Sequence, residues 1–384
     1  MKNTNLLIFI FYIFSLSACA NASNFKAEQI LNTKSNLHNF TSDEKLQNFK
    51  EKFQKKQDLK IRIFGDSHIA ADFFSGELRN LIFQNNSIGF TYPLQPEYHQ
   101  NTNLSYKNKG FIILNSKNND KNISYPLGGI IAQAQKKDAY IELNTKLNNK
   151  FKIGILFKSP NTDKAFQIND AKKQNFILQS PMAQKWTYKE LENVSFPLKI
   201  QALQKNVSLG GYFIYKQYNN NFIDILGING ASSTLWLRWN EKTLKHELKI
   251  LNNDFIMLVY GSNDILLPGF SKANFKKNYK KLIQILKENN PRAIITLVTP
   301  PTLAKKDEKN SLLKQKFKEA KNAIYELAKE EELLVFDTNE FIEQSGGKNV
   351  WIKHDLSLKD VHLTIQGYKM MANKFYKDLK ALLK

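Results

Sequence analysis

Cysteine is all but missing from this chain. Cys19 is the single thiol in 384 residues, so no internal disulfide can support the fold and no thiolate metal site can be built. Histidine is scarce as well, and no pair of the six shows metal-ligand spacing, so no metal and no cofactor are expected. Acidic side chains are outnumbered, 35 Asp and Glu against 56 Lys and Arg, leaving a formal charge of +21. A field of that sign favours a polyanionic partner such as nucleic acid, anionic lipid or an acidic polymer. The bases are scattered, however, and no nucleic-acid-binding motif is present, which argues against nucleic acid. With 42% hydrophobic and 12% aromatic residues the chain can bury real cores, which excludes wholesale disorder. Its length suits two domains, or one domain with a large insertion.

The apolar run at residues 6–16 (LLIFIFYIFSL) follows Lys2 and is too short to span a bilayer. That layout predicts a secretory signal over residues 1–20 and export to the periplasm. Leu16-Ser17-Ala18-Cys19 resembles a bacterial lipobox, which would make Cys19 the acylated first residue of a lipoprotein. The alternative is plain cleavage after Ala20 or Ala22, with Cys19 discarded. Residues 21–56 then read as a polar linker, to about Phe40, and a short helix opened by a capping box at Thr41-Ser42-Asp43-Glu44.

Three motifs follow apolar runs or sit near the C-terminus. Gly65-Asp66-Ser67-His68 comes directly after the strand-like run 59–64 (LKIRIF), and Phe74, Leu78, Leu81 and Ile82 behind it share a helical face. Gly261-Ser262-Asn263-Asp264 follows the run 255–260 (FIMLVY), and Asp360-Val361-His362 precedes the last helical pattern. Further strands are expected at 222–226, 293–298 and 333–336, with helices between them. That alternation predicts a parallel sheet covered on both faces, with ligand chemistry at its C-terminal strand ends. A serine at a strand-to-helix junction also faces free backbone N–H groups.

Between about residues 89 and 217 the helical patterns vanish. Short runs at 111–114, 140–143, 151–157, 166–168, 176–178, 198–202 and 207–215 alternate with turn residues, as in a β-sandwich. The expected organisation is an α/β domain at 57–88 and 218–384, interrupted by an inserted all-β domain at 89–217.

The four separated blocks resemble those of the SGNH/GDSL hydrolases, a family named for a Ser, a Gly, an Asn and a His. Gly65-Asp66-Ser67 matches the first block, although His68 stands where leucine is usual. Gly230 is the candidate for the second, Asn263 for the third, and Asp360 with His362 for the fourth. The resemblance implies a three-layer α/β fold, with Ser67 as nucleophile, His362 as base and Asp360 as the group orienting it. It also implies an oxyanion hole formed by the Ser67 N–H, the Gly230 N–H and the Asn263 amide. Many members place the aspartate three residues before the histidine, where this chain has Lys359; Asp355 is the substitute if Asp360 fails. A secreted, basic member with a β insertion after its first block resembles the bacterial peptidoglycan O-acetylesterases. Their insertion looks like a carbohydrate-binding module, and they remove acetyl groups from C6 of N-acetylmuramic acid. The implied partner is therefore O-acetylated peptidoglycan.

Simpler roles remain open for each residue. Ser67 alone could be a helix N-cap. His68 can pack beside the site, Asp264 can cap the loop that presents Asn263, and His38, His99, His246 and His354 read as surface or structural. Among the aromatics of the insertion, Phe151, Phe157, Trp186, Tyr188, Tyr212 and Tyr215 could supply a sugar-stacking platform or simply pack its core. Two rival functions stand beside an esterase: an O-acetyltransferase on the same fold, or a non-catalytic glycan-binding envelope lipoprotein. Oligomeric state is not legible.

Overall fold

Runs such as FIMLV and IITLV, apolar on both faces, can only form strands at the centre of a covered sheet. In the computed structural model, which describes residues 30–118 and 123–384, they do so. Five parallel strands follow in chain order: Lys60–Gly65, Phe222–Gly227, Phe255–Val259, Ile294–Val298 and Leu334–Phe336. Across the sheet the second lies beside the first, then come the third, fourth and fifth. The order therefore reverses between the first and third strands, which is where α/β sheets of this kind open a crevice. A sixth strand, Leu37–Asn39, pairs antiparallel with Leu334–Phe336 at the edge, in a stretch expected to be linker.

Helices cover both faces. On one, Phe49 and Phe53 of Asp43–Lys55, Leu78 of Phe73–Phe83 and Phe375 of Ile365–Leu382 pack on the sheet. On the other, Leu248 of Glu241–Leu251, Tyr279 of Lys272–Asn289 and Ile324 of Ser311–Glu330 do the same. The helix at Asp43 starts beside Ser42, whose side chain makes no capping bond, so the expected capping box does not form. No helix among the described residues is long and apolar enough to cross a membrane, and residues 1–20 lie outside the described residues.

Two antiparallel sheets are built from the segment between the first two parallel strands. One orders Asn175–Gln179, Lys164–Asn169, Leu198–Ala202, Tyr140–Thr145 and Leu104–Lys109; the other centres on Phe151–Lys158 and Ser208–Lys216. Their facing side chains, among them Phe157, Phe166, Ile200 and Tyr212, form a separate core. That settles most of the aromatics: Phe151, Phe157, Tyr212 and Tyr215 are buried, and only Trp186 and Tyr188 are half-exposed. The opposite face of the second sheet joins the α/β core, where Phe213 and Leu156 share a cluster with Phe64 and Trp239.

A buried ion pair ties the two parts together. Arg62 on the first parallel strand donates to Asp224 on the second through Nε at 2.9 Å and Nη2 at 2.7 Å. Asp224 Oδ2 also accepts the Phe90 backbone N–H at 2.9 Å, at the entry to the β segment. Both side chains are fully buried, so removing one partner strands the other's charge. Asp224→Ala is expected to lower stability by about 3–5 kcal/mol in urea denaturation, well beyond the loss from an exposed pair.

Candidate active site

The first, second and third parallel strands end level with one another, with Gly65 paired to both Gly227 and Val259. Gly65 has to be glycine, since a Cβ there would sit 2.7 Å from the Val259 carbonyl oxygen. The loops that follow therefore converge on one point of the crevice.

Ser67 is the first residue of the short helix Ser67–Ala70, and its Oγ lies 2.9 Å from His362 Nε2. The helix is capped by Asp66, whose Oδ1 accepts the His68 N–H at 2.9 Å, so the Ser67 hydroxyl is free of capping duty. His362 Nδ1 lies 3.1 Å from Asp360 Oδ1, which also accepts the His362 backbone N–H at 2.7 Å. It is Asp360, not Asp355, that stands against the imidazole. Burial raises the Asp360 carboxyl, but the His362 N–H, the His362 ring and the Lys348 charge outweigh it and hold it below the usual value. Asp360 thus stays ionised, as a group that orients an imidazole and stabilises its protonated form must.

Gly230 sits in the left-handed region at φ +71°, a conformation glycine adopts without strain. Its N–H and that of Ser67 make no backbone hydrogen bond among the described residues, which leaves both free to meet an oxyanion. Asn263 is placed differently from a free donor. Its Nδ2 donates to Asp66 Oδ2 at 3.1 Å and to the Ala231 carbonyl at 3.0 Å, so both amide protons are engaged. Asp264 accepts the Ser233 N–H at 3.0 Å and the Ser233 hydroxyl at 2.7 Å, and so fixes the Asn263 loop against the Gly230 loop.

Of two supporting residues, His68 is the one the sequence places as packing beside the site, and Lys348 carries no signal there. His68 is buried between Ser262 Oγ at 3.0 Å and Tyr368 OH at 2.9 Å, with its ring 5.4 Å from that of His362. Burial, and then the charge on His362, push His68 down to about 3, so it is a neutral strut. Lys348 is buried under the histidine loop and donates to Thr302 Oγ1 at 2.9 Å, to the Leu303 carbonyl and to the Asp360 carbonyl. A lysine in a helix such as Gly347–Lys353 reads as solvated surface, and nothing local marks it otherwise. Among the described residues one group has metal-ligand proximity, His38 with Asp337 and Glu340, far along the sheet from Ser67. Asp337 there is already satisfied by Thr299, Tyr325 and Lys321.

Three buried carboxyls titrate upward, Asp264 by burial among them. Burial pushes Asp66 up to about 7 and Glu247, which accepts the Leu127 N–H at 2.7 Å, up to about 8. Burial also pushes His99, bonded to the Gly227 carbonyl, down to about 4. Below the ordinary histidine value of 6.5 the two classes oppose each other. The folded carboxyls keep protons that the unfolded chain has released, while the folded imidazoles lack protons that it holds. Above that value only the carboxyls differ, the folded state binds more protons, and stability falls as pH rises toward about 8. Glu247→Gln is expected to flatten the decline of Tm between pH 6.5 and 8, read by calorimetry at constant ionic strength.

A side chain at position 230 should be poorly tolerated. The strain is in the backbone, since the Lys117 ammonium, 2.6 Å from where a Cβ would sit, is the end of a flexible chain that can swing aside. Gly230→Ala is expected to cut kcat for 4-nitrophenyl acetate on the order of 10²-fold by displacing its N–H, with a smaller effect on KM.

Comparison with known proteins finds matches to both parts of the chain. Residues 87–199 match the family described as peptidoglycan O-acetylesterase, N-terminal, and residues 208–370 match the GDSL-like lipase/acylhydrolase family. A solved structure of a peptidoglycan O-acetylesterase superposes with TM-score 0.77 at 19% identity, covering 91% of this chain and 99% of that one, so the two share a fold. The N-acylneuraminate cytidylyltransferase of Escherichia coli O18:K1:H7 (strain RS218 / NMEC) is 28% identical over 107 residues, 28% of this chain. This chain spans only about a quarter of that relative's length, 25%. The mixed α/β architecture and the two family matches lead to one assignment: the chain carries a GDSL-like lipase/acylhydrolase domain, is an esterase by class, and resembles the peptidoglycan O-acetylesterases.

Proposed function

We propose that the protein is a peptidoglycan O-acetylesterase, removing acetyl groups from C6 of N-acetylmuramic acid through an acyl-enzyme on Ser67. The observation that carries the reading is the 2.9 Å contact of Ser67 Oγ with His362 Nε2. His362 takes the serine proton as Oγ attacks the acetyl carbonyl, then returns it to the leaving sugar oxygen. Water repeats the cycle and releases acetate. Asp360 holds the imidazole with Nε2 toward the serine.

Negative charge on the carbonyl oxygen would be met by the Ser67 and Gly230 N–H groups. Asn263 joins them by turning toward the oxyanion the N–H it now donates to Asp66, a carboxyl that burial pushes up to about 7 and so leaves only partly ionised near neutrality, a weaker acceptor than an oxyanion. One donor of this kind contributes about 3–4 kcal/mol to the transition state. The two-sheet segment, a carbohydrate-binding-module-like insertion at 89–217, would position the polymer. Of the six aromatics considered for it, Trp186 and Tyr188 are the ones left half-exposed. A positive protein suits an acidic wall polymer, and the leader with Cys19 fits a periplasmic protein with a lipid anchor.

The deciding measurement is acetate released from O-acetylated peptidoglycan by the purified protein. Wild type should release it, and Ser67→Ala and His362→Ala should each lose on the order of 10⁵-fold or more without loss of fold, because triad members act as a unit. Asp360→Asn should lose about 10⁴-fold. Acetyl transfer to glycan in place of acetate release would make the enzyme a transferase, and normal turnover by Ser67→Ala would remove the nucleophile assignment.

A further inference from the structure

One of the places where the β segment reaches the catalytic edge is the turn Ser116–Asn118. Arg238 Nη1 clamps that turn by donating to the Ser116 carbonyl at 2.9 Å and the Lys117 carbonyl at 2.6 Å. Trp239 Nε1 adds a bond to Ser116 Oγ at 3.2 Å. So held, Lys117 extends its ammonium over Gly230 and donates to the Asn229 carbonyl at 2.9 Å. A groove of about 380 Å³ opens there, lined by Lys117, Arg238, Gly230, Ser232, Asn263 and Leu266. It thus begins at the oxyanion donors and runs outward between two cations.

Among the described residues those cations have no counter-ion. No carboxylate there lies within 4.0 Å of Lys117 or Arg238, although many surface lysines of this protein are paired, as Lys276 is with Glu326 and Glu330. Lys117 uses one proton on a neutral carbonyl and keeps two more for a ligand. An exposed cation beside an ester-cleaving centre, fixed from below and with no carboxylate partner among the described residues, is suited to an anionic group on the substrate.

We infer that Lys117, with Arg238 behind it, binds a carboxylate of the substrate next to the ester being cleaved, so that the inserted segment contributes directly to specificity. The inference rests on the esterase reading and names the chemistry of its substrate: an acetylated sugar bearing a carboxylate. In muramic acid that group is either the lactyl carboxylate itself or a carboxylate of the peptide attached to it.

The test compares kcat/KM of wild type and Lys117→Gln on three acetyl esters. They are 6-O-acetyl-N-acetylmuramic acid, its neutral methylamide, and its L-alanine amide, whose carboxylate lies farther out. Wild type is expected to prefer a charged ester over the methylamide, and Lys117→Gln to lose that preference by about tenfold, mostly through KM. The preference should also shrink with added salt. Preference for the acid places the lactyl carboxylate at Lys117, and preference for the alanine amide places the peptide carboxylate there. Equal loss on charged and neutral esters, or no change on either, overturns the inference. If wild type cleaves none of the three, the substrate reading fails instead, and 3-acetoxybenzoate against 3-acetoxybenzamide takes their place. Selective loss on the benzoate by Lys117→Gln then supports the carboxylate site, and equal loss or no change on the pair overturns it.

Discussion

Everything at this centre depends on how closely three strands pack at Gly65. The Val259 carbonyl leaves room for no side chain there, and in-register pairing with Gly227 and Val259 brings three strand ends to one level. Ser67, Gly230 and Asn263 then occupy adjacent loops although almost 200 residues of chain separate the first from the last. Catalytic precision of this kind comes from backbone pairing, which is rigid, and needs little from the long side chains that are not. His362 alone arrives from outside the sheet, on the loop ahead of the final helix, and its position therefore needs separate support.

Polar burial provides the second level of order. Arg62 and Asp224, and Glu247 with the Leu127 N–H, each bind an element of the β segment to the α/β layers. Such groups are costly to bury, and a buried pair is weak evidence of net stability. Here their bonds cross from one part of the chain to the other, which sets how the second antiparallel sheet seats on the first two parallel strands. An apolar face alone would permit several seatings. The position of Lys117 over Gly230 follows from that docking.

The parallel strands and the long helices were legible in the sequence because each carries a sustained period and sits between turn residues. The serine and asparagine blocks were legible because each follows such a strand, and the histidine block because it precedes the last long helix. Strands Leu37–Asn39 and Ile130–Ala134 were not, since they are short and carry no alternation of their own; pairing partners far along the chain define them. The same holds for Lys348 and Lys117. Among so many lysines nothing local distinguishes one that props a catalytic loop from one that is merely solvated, and only the fold that surrounds it can. Asp66 reads as part of the serine motif, but its hold on Asn263 is visible only once two loops meet.

The two-residue spacing of Asp360 and His362 has a physical basis in the turn they form. A carboxylate that accepts its neighbour's backbone N–H at 2.7 Å and ring Nδ1 at 3.1 Å closes a compact turn, and the turn aims Nε2 back toward Ser67. The cost is exposure: the Asp360 side chain is 58% accessible, so solvent screens its charge and the loop has little apolar packing to stiffen it. Lys348 beneath the Asp360 carbonyl and the Lys305 N–H on the Lys359 carbonyl at 2.7 Å supply what packing does not. His68, braced by Ser262 and Tyr368, packs beside the His362 imidazole and, being neutral, adds no positive charge there. An orienting carboxylate near the surface is workable here because its backbone, and not its side chain, is what the fold holds still.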